Sequence, residues 1–171
     1  MRARFQVEIR GYKSHETDFQ TLLDRRPDLQ APEITAIIDS AFEAFENTDG
    51  GKACAVVIVG YADREDSPGL ADEQRRASEL QASQARADSA SAWLLDKVNS
   101  VAQTSGMQLE MEWKGVATVA VEAVGVGASD LVQQPATEQD RLNNRRIRFL
   151  ISGNNVSAVT DRDGTDVLFA I

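Results

Sequence analysis

Between Ala53 and Val59 the chain reads ACAVVIV, an unbroken apolar run rich in β-branched side chains. A run this short and this apolar suits a strand with both faces covered, which calls for a sheet with other layers packed on it. The run then stops abruptly. Gly60 and Tyr61 lead into ADRED, which places the Asp63 carboxylate just past the strand end. Many strands end in polar residues only because they are solvated, so a functional reason needs a complementary charge brought to the same edge.

The flanking segments supply the other layers. Phe5, Val7 and Ile9 alternate with Gln6, Glu8 and Arg10 and predict a half-buried first strand closed by Gly11. The segment from Tyr12 to Ala31 is polar and irregular, with room for a short helical turn at FQTLLD. Pro32 sits at a good first-turn position. Ile34, Ile37, Ile38, Ala41, Phe42 and Phe45 then recur at helical spacing until NTDGG, from Asn47 to Gly51, stops the helix. From Leu70 to Ser105 no glycine or proline interrupts the chain, and Leu80, Ala87, Ala90, Leu94, Val98 and Val101 predict an inward stripe. One helix of that length would run about 50 Å, so its first turns are expected to project or break. VATVAVEAVGVG, from Val116 to Gly127, predicts a third strand. QLEMEW offers a hairpin arm before it, and RRIRFLIS predicts a last strand with Ile147, Phe149 and Ile151 inward. The order β-α-β-α-β-β implies an α/β sandwich, helices packed on a mixed four-stranded sheet. The domain is expected to span residues 1–152, with a mostly polar tail over 153–171.

Composition narrows the function. A formal net charge of -9 disfavours non-specific binding to nucleic acid or anionic lipid, yet Arg141, Arg145, Arg146 and Arg148 cluster closely enough to hold a small anion. The single cysteine, Cys54, permits no internal disulfide and reads as a buried small hydrophobe. The single histidine, His15, builds no metal site alone and is expected in solvent. No apolar run approaches the ~20 residues of a membrane span, and the first residues alternate like a strand rather than forming a signal-peptide core. Either the protein is not exported in this form, or the chain is a piece of a longer exported or anchored one. No nucleophile elbow or phosphate loop is present. GVGASD lacks the third glycine of a dinucleotide fingerprint, and DRDGTD lacks the glutamate that would close a calcium loop. No cofactor or metal is expected, and an enzyme is the weaker reading.

Three pieces fit one ligand. Asp63 sits at the rim of the sheet. Arg86, in SQARADSASAWLL, shares a helix side with Ala90 and Trp93 and would emerge near the sheet edge. RLNNRRIRF brings Asn144, Arg145 and Arg146 to the start of the last strand. A carboxylate and a guanidinium held close together suit a zwitterion, one taking an ammonium and the other a carboxylate. Arg75 and Arg76 read as a solvated helix face, Trp93 as core packing, and Trp113 as ambiguous.

These motifs resemble the OmpA-like peptidoglycan-binding domains of outer-membrane, Pal and MotB-type proteins. Gly60-Tyr61-Ala62-Asp63 matches a strand ending G-[HY]-[TAS]-D. Ser83, Arg86-Ala87, Ala90 and Trp93-Leu94 follow the family's helix motif. Gly125-Val126-Gly127 matches its G-x-G, with Pro135 beyond. Arg141, Asn144, Arg145, Arg146, Ile147 and Phe149 match R-x-x-N-R-R-[VI]-x-[FIV]. The resemblance covers about Phe5 to Ser152. It implies non-catalytic binding of peptidoglycan, with Asp63 and Arg86 gripping the amino and carboxylate ends of diaminopimelate in the stem peptide. Tyr61, Asn144, Arg145 and Arg146 would support the pocket. It also implies a cell-envelope, periplasmic setting if the chain belongs to a longer exported protein, a cytoplasmic one if Met1 is the true start, and no membrane insertion by this chain. The departures are Ala62 for the usual threonine, Ala82 for the usual leucine, Glu79 where an asparagine is usual, and insertions near residues 64–80 and 104–115. The insertions and the missing export signal favour an alternative, a scaffold or assembly module of the same fold that binds protein partners and no longer binds the wall.

Overall fold

The computed structural model describes residues 4–28, 31–46, 53–104, 118–153, 159–160 and 166–167. In chain order these form β1 (Arg4–Arg10), α1 (Phe19–Arg25), α2 (Ala31–Glu46), β2 (Ala53–Gly60), α3 (Asp72–Thr104), β3 (Thr118–Gly125), α4 (Glu138–Asn144), β4 (Arg146–Gly153), β5 (Val159–Thr160) and β6 (Asp166–Val167). The main sheet has the order β1-β4-β2-β3. β4 lies antiparallel between β1 and β2, and β3 runs parallel to β2 at the edge. This is the expected α/β architecture, with helices on a mixed four-stranded sheet. Two short helices, α1 and α4, are added to it, and β5 pairs antiparallel with β6. Among the described residues no helix is long and apolar enough to cross a membrane.

The core follows the alternation of the strands. Ile9 from β1, Val56 and Ile58 from β2, and Ile147, Phe149 and Ile151 from β4 meet Ile37 and Ala41 of α2 and Ala87, Ala90, Leu94 and Val98 of α3. α1 is pinned into this layer from both ends of its first turn. Asp18 caps it by accepting from the Thr21 N–H at 2.7 Å, and the Phe19 N–H donates to Ser89 Oγ at 2.9 Å. The Phe19 ring then stands edge-on to Trp93 at 4.9 Å and to Phe149 at 5.5 Å. The second face of β2 is closed differently. Val57 is buried and Val59 half-buried on the face that carries Glu8, Tyr61, Arg146 and Arg148, with Val59 paired to Arg148 across the ladder.

α3 is continuous over 33 residues, so it projects and does not break. Its inward face also differs from the expected one. Glu79, Ser83, Arg86, Ala87, Ala90, Trp93, Leu94, Val98 and Ala102 are buried, whereas Leu80 is 51% exposed and Val101 is only half-buried. The reason lies in two glycines. A Cβ on Gly60 would stand 2.0 Å from the Ser83 carbonyl oxygen, and one on Gly125 would stand 2.3 Å from the Gln84 nitrogen. Gly60 and Gly125 are register partners in β2 and β3, so together they form a flat seat where α3 touches the sheet at Ser83 and Gln84. That contact sets the helix rotation, and Glu79, one turn before Ser83, is carried inward with it.

The expected helix stop at 47–51, the hairpin arm with Trp113, and residues 161–165 of DRDGTD lie outside the described residues, as does the side chain of Cys54.

Candidate functional site

The site is built at the end of β2. Tyr61 continues the strand, its N–H donating to the Arg146 carbonyl at 2.9 Å, and the Ala62 N–H donates to the Gly127 carbonyl at 2.8 Å. These two bonds hold the next residue, Asp63, against the start of β4. Gly127 itself has φ +63, a left-handed conformation that suits glycine. Its N–H is taken by Ser83 Oγ at 2.8 Å, which ties the loop after β3 to α3.

Asp63 is buried and fully engaged. Asn144 Nδ2 donates to Oδ1 at 2.9 Å, and Arg141 Nη1 donates to Oδ2 at 2.8 Å. Arg145 Nη2 stands 3.7 Å from the same oxygen. Asn144 is a strong anchor because its amide also closes a two-way bond with the backbone of Gln133, donating at 2.8 Å and accepting at 3.0 Å. It was expected at the start of the last strand. It is instead the last residue of α4, Arg145 caps that helix, and Arg146 begins β4. The cause is local: Thr137 and Asp140 form a reciprocal capping box, which starts a helix in front of the strand. On that helix Arg141 and Asn144 lie one turn apart and meet the same carboxylate.

Arg86 reaches the site from α3 and is only 2% exposed. Its Nε donates to the Glu16 carbonyl at 3.0 Å and its Nη1 to the Tyr61 carbonyl at 2.9 Å. The guanidinium lies over the Tyr12 ring, 5.0 Å from its centre. Among the described residues no acidic side chain forms an ion pair with it. Burial therefore lowers its pKa to about 10, with Tyr12, Glu16 and Asp63 opposing the shift from a distance and Arg145 adding to it. Tyr12 is buried beside it, its hydroxyl without a hydrogen-bond partner and its pKa raised by burial.

Asp63 and Arg86 line one cavity of about 350 Å³. Its charged lining is nearly balanced: Asp63, Glu65, Asp66, Glu79 and Glu138 against Arg64, Arg86, Arg141 and Arg145. Arg145 lines it as well and is held by Glu138 at 2.8 Å. The inserted segment after Asp63 forms the rim and is tied down. Glu79 accepts from the Glu65 N–H at 2.9 Å and from Arg75 Nη1 at 3.0 Å, and Arg141 holds both Asp66 and the Arg64 carbonyl. Arg75 is thus half-buried and paired rather than simply solvated.

The remaining expected residues act at one remove. The Tyr61 ring is covered by the Arg146 guanidinium at 3.7 Å and by Arg148 at 5.2 Å. Arg146, buried, also pairs with Glu8 at 3.1 Å and Asp130 at 2.6 Å. Tyr61 and Arg146 therefore brace the site from the opposite face of the sheet and do not line the cavity. Sequence reasoning did not place Arg141, Glu79 or His15 at the site. His15 is exposed as expected, yet it stands at the cavity mouth with φ +60 in a turn held by the Lys13 N–H on the Glu16 carboxylate at 2.6 Å. The spacing of Arg141, three before Asn144, carried the signal for Arg141, but only if the segment is read as helix.

No protein-family model matches the chain, and no curated protein matches it either. Among solved structures, the chain is similar to the cell wall anchor of the T6SS from Pseudomonas aeruginosa, at 18% identity over 86% of this chain and 80% of that one, TM-score 0.42. It is also similar to the OmpA-like domain of FopA1 from Francisella tularensis, at 14% identity over 88% and 75%, TM-score 0.44. A third is the peptidoglycan-associated lipoprotein from Burkholderia pseudomallei, at 16% identity over 85% and 88%, TM-score 0.36.

Proposed function

We propose that the chain binds peptidoglycan without catalysis, taking the diaminopimelate of the stem peptide between Asp63 and Arg86 and so anchoring a protein or assembly to the cell wall. The observation that supports this is the state of Arg86: a guanidinium out of water, held by two carbonyls, with no ion-pair partner among the described residues and with the cavity beside it. A buried charge left unpaired is costly, and a ligand carboxylate offsets that cost. The near balance of charge around the cavity suits a zwitterion better than a polyanion. On this reading the chain works in the cell envelope.

Charge-assisted hydrogen bonds contribute about 1.5–3 kcal/mol each. After ordering and desolvation, two anchors give a Kd of roughly micromolar to millimolar for one stem. A repeating polymer raises the effective affinity through avidity.

One observation favours the assembly-module alternative: both oxygens of Asp63 already have protein donors. Calorimetric titration of a diaminopimelate-containing stem peptide into the wild type, Asp63→Ala and Arg86→Ala separates the two. Saturable binding that both substitutions abolish is expected. A folded wild type that binds nothing would overturn wall recognition and turn attention to protein partners.

A further inference from the structure

We infer that Arg141 determines the specificity of this pocket by acting as a latch: its guanidinium holds the place on Asp63 that a ligand ammonium needs, and the ammonium must displace it. The inference rests on the wall-binding reading above. The Asp63 side chain is 3% exposed, with Asn144 on one oxygen and Arg141 on the other. A cation entering the cavity therefore reaches that carboxylate only when one of its present partners leaves.

The partners are not equally free to move. Asn144 is fully buried and locked by its two-way bond to Gln133. Arg145 is buried and committed to Glu138. Arg141 differs on both counts. Its side chain is 24% exposed, it stands at the cavity mouth, and its second terminal nitrogen already holds Asp66, which is 49% exposed. Letting go of Asp63 leaves the guanidinium with Asp66 and water, a small loss for a side chain so placed. The Asp63 side chain, by contrast, is 3% exposed and would keep the more distant Arg145 at 3.7 Å, so a cation that takes the place of Arg141 restores its close partner.

Selectivity follows from this exchange. A ligand with a carboxylate alone could fill the seat at Arg86 and would leave the latch on Asp63. A ligand with both charges fills one seat and trades places at the other, so the pocket responds to the pair of charges. Asp66 is the receiving post for the displaced arginine.

The test titrates two probes, a diaminopimelate-containing stem tripeptide and the same peptide with its side-chain amine acetylated, into the wild type, Arg141→Gln, Asp66→Asn and the double variant. Arg141→Gln is expected to bind the amine-bearing peptide several-fold to about tenfold tighter and to gain nothing for the acetylated one. Asp66→Asn is expected to weaken binding several-fold in the wild type and to have no effect once Arg141 is gone, the coupling that a shared exchange produces. If the wild type binds and Arg141→Gln binds equally or more weakly, the latch is overturned while wall recognition stands. If neither binds and both are folded, latch and wall recognition fall together. Arginine-selective 15N labelling of the wild type decides the matter even if Arg141→Gln does not fold. The Arg141 guanidinium signal should shift with the amine-bearing peptide and not with the acetylated one, and an unmoved signal at saturation would overturn the latch.

Discussion

Asn144 and Asp63, 81 positions apart in sequence, share a buried hydrogen bond of 2.9 Å that joins the end of α4 to the loop after β2. The same amide serves both backbone groups of Gln133, so one side chain ties three segments together behind Asp63.

Removing that amide leaves a carboxylate oxygen and two backbone groups without partners. An unsatisfied buried polar group costs about 1–3 kcal/mol, and of these bonds the one to Asp63 is the buried one, so Asn144→Ala is expected to destabilise the fold by about 1–3 kcal/mol. Urea denaturation would measure it, and a change under about 1 kcal/mol would mean that water replaces the amide at no cost.

Gly60 tolerates no side chain for a steric reason, since its closest neighbour is the backbone of Ser83 on a helix that cannot move without lifting off the sheet. Gly60→Ala is expected to cost about 3 kcal/mol, at the upper end for overpacking, or to prevent folding. Gly69→Ala is the informative comparison. Nothing lies within 4 Å of its added methyl, but its φ is +84, so the expected cost is the backbone strain alone, about 1–2 kcal/mol. Equal losses at the two positions would contradict the close approach of α3.

Glu8 sits among Arg10, Arg146 and Arg148 on the sheet face opposite the helices. Burial raises its pKa, but the three guanidiniums outweigh that and bring it below the ordinary 4.5. Lowered in the folded state, it contributes stability that is fully present above the unfolded value and is lost as pH falls through the folded one. Unfolding free energy should therefore fall below about pH 4.5, and part of that slope should vanish in Glu8→Gln. At neutral pH the same substitution should cost about 1–2 kcal/mol. An unchanged slope would remove Glu8 from the acid transition.

Gln84 closes the open edge of the sheet. Its amide donates to the Ala123 carbonyl and accepts from the Gly125 N–H, 2.9 and 2.8 Å, on the side of β3 where no strand pairs with it among the described residues. Gln84→Ala should cost about 1–2 kcal/mol and speed hydrogen exchange at Gly125, since the edge amide then faces solvent. Unaltered exchange at that amide would refute the capping role.

The main strands and the two long helices were legible from the chain alone, as were the inward residues of α3 from Ala87 to Val98, because hydrophobic periodicity is local. Alternation at Phe5 to Ile9, the run at Ala53 to Val59, and the three- and four-residue spacing from Ala87 to Val98 each report on their own segment, and the sheet needs only those segments to assemble. The charged end of β2 and the arginine on α3 were legible in the same way. α4 was not, because six polar residues and one leucine before a strong strand pattern look like its approach, and the capping box is a short signal beside the arginine-rich run.

What only the tertiary structure decided is who meets whom. The rotation of α3 was settled by the glycine seat at Gly60 and Gly125, which turned Glu79 inward and Leu80 out. The partners of Asp63 were settled by where α4 ends. The state of Arg86 was settled by the carbonyls of Glu16 and Tyr61, which reached it where no carboxylate among the described residues did. Such pairings depend on distances between segments that share no local pattern. The sequence therefore determined the layers and the charges of this protein, and packing determined which charges were already satisfied and which was left facing the cavity.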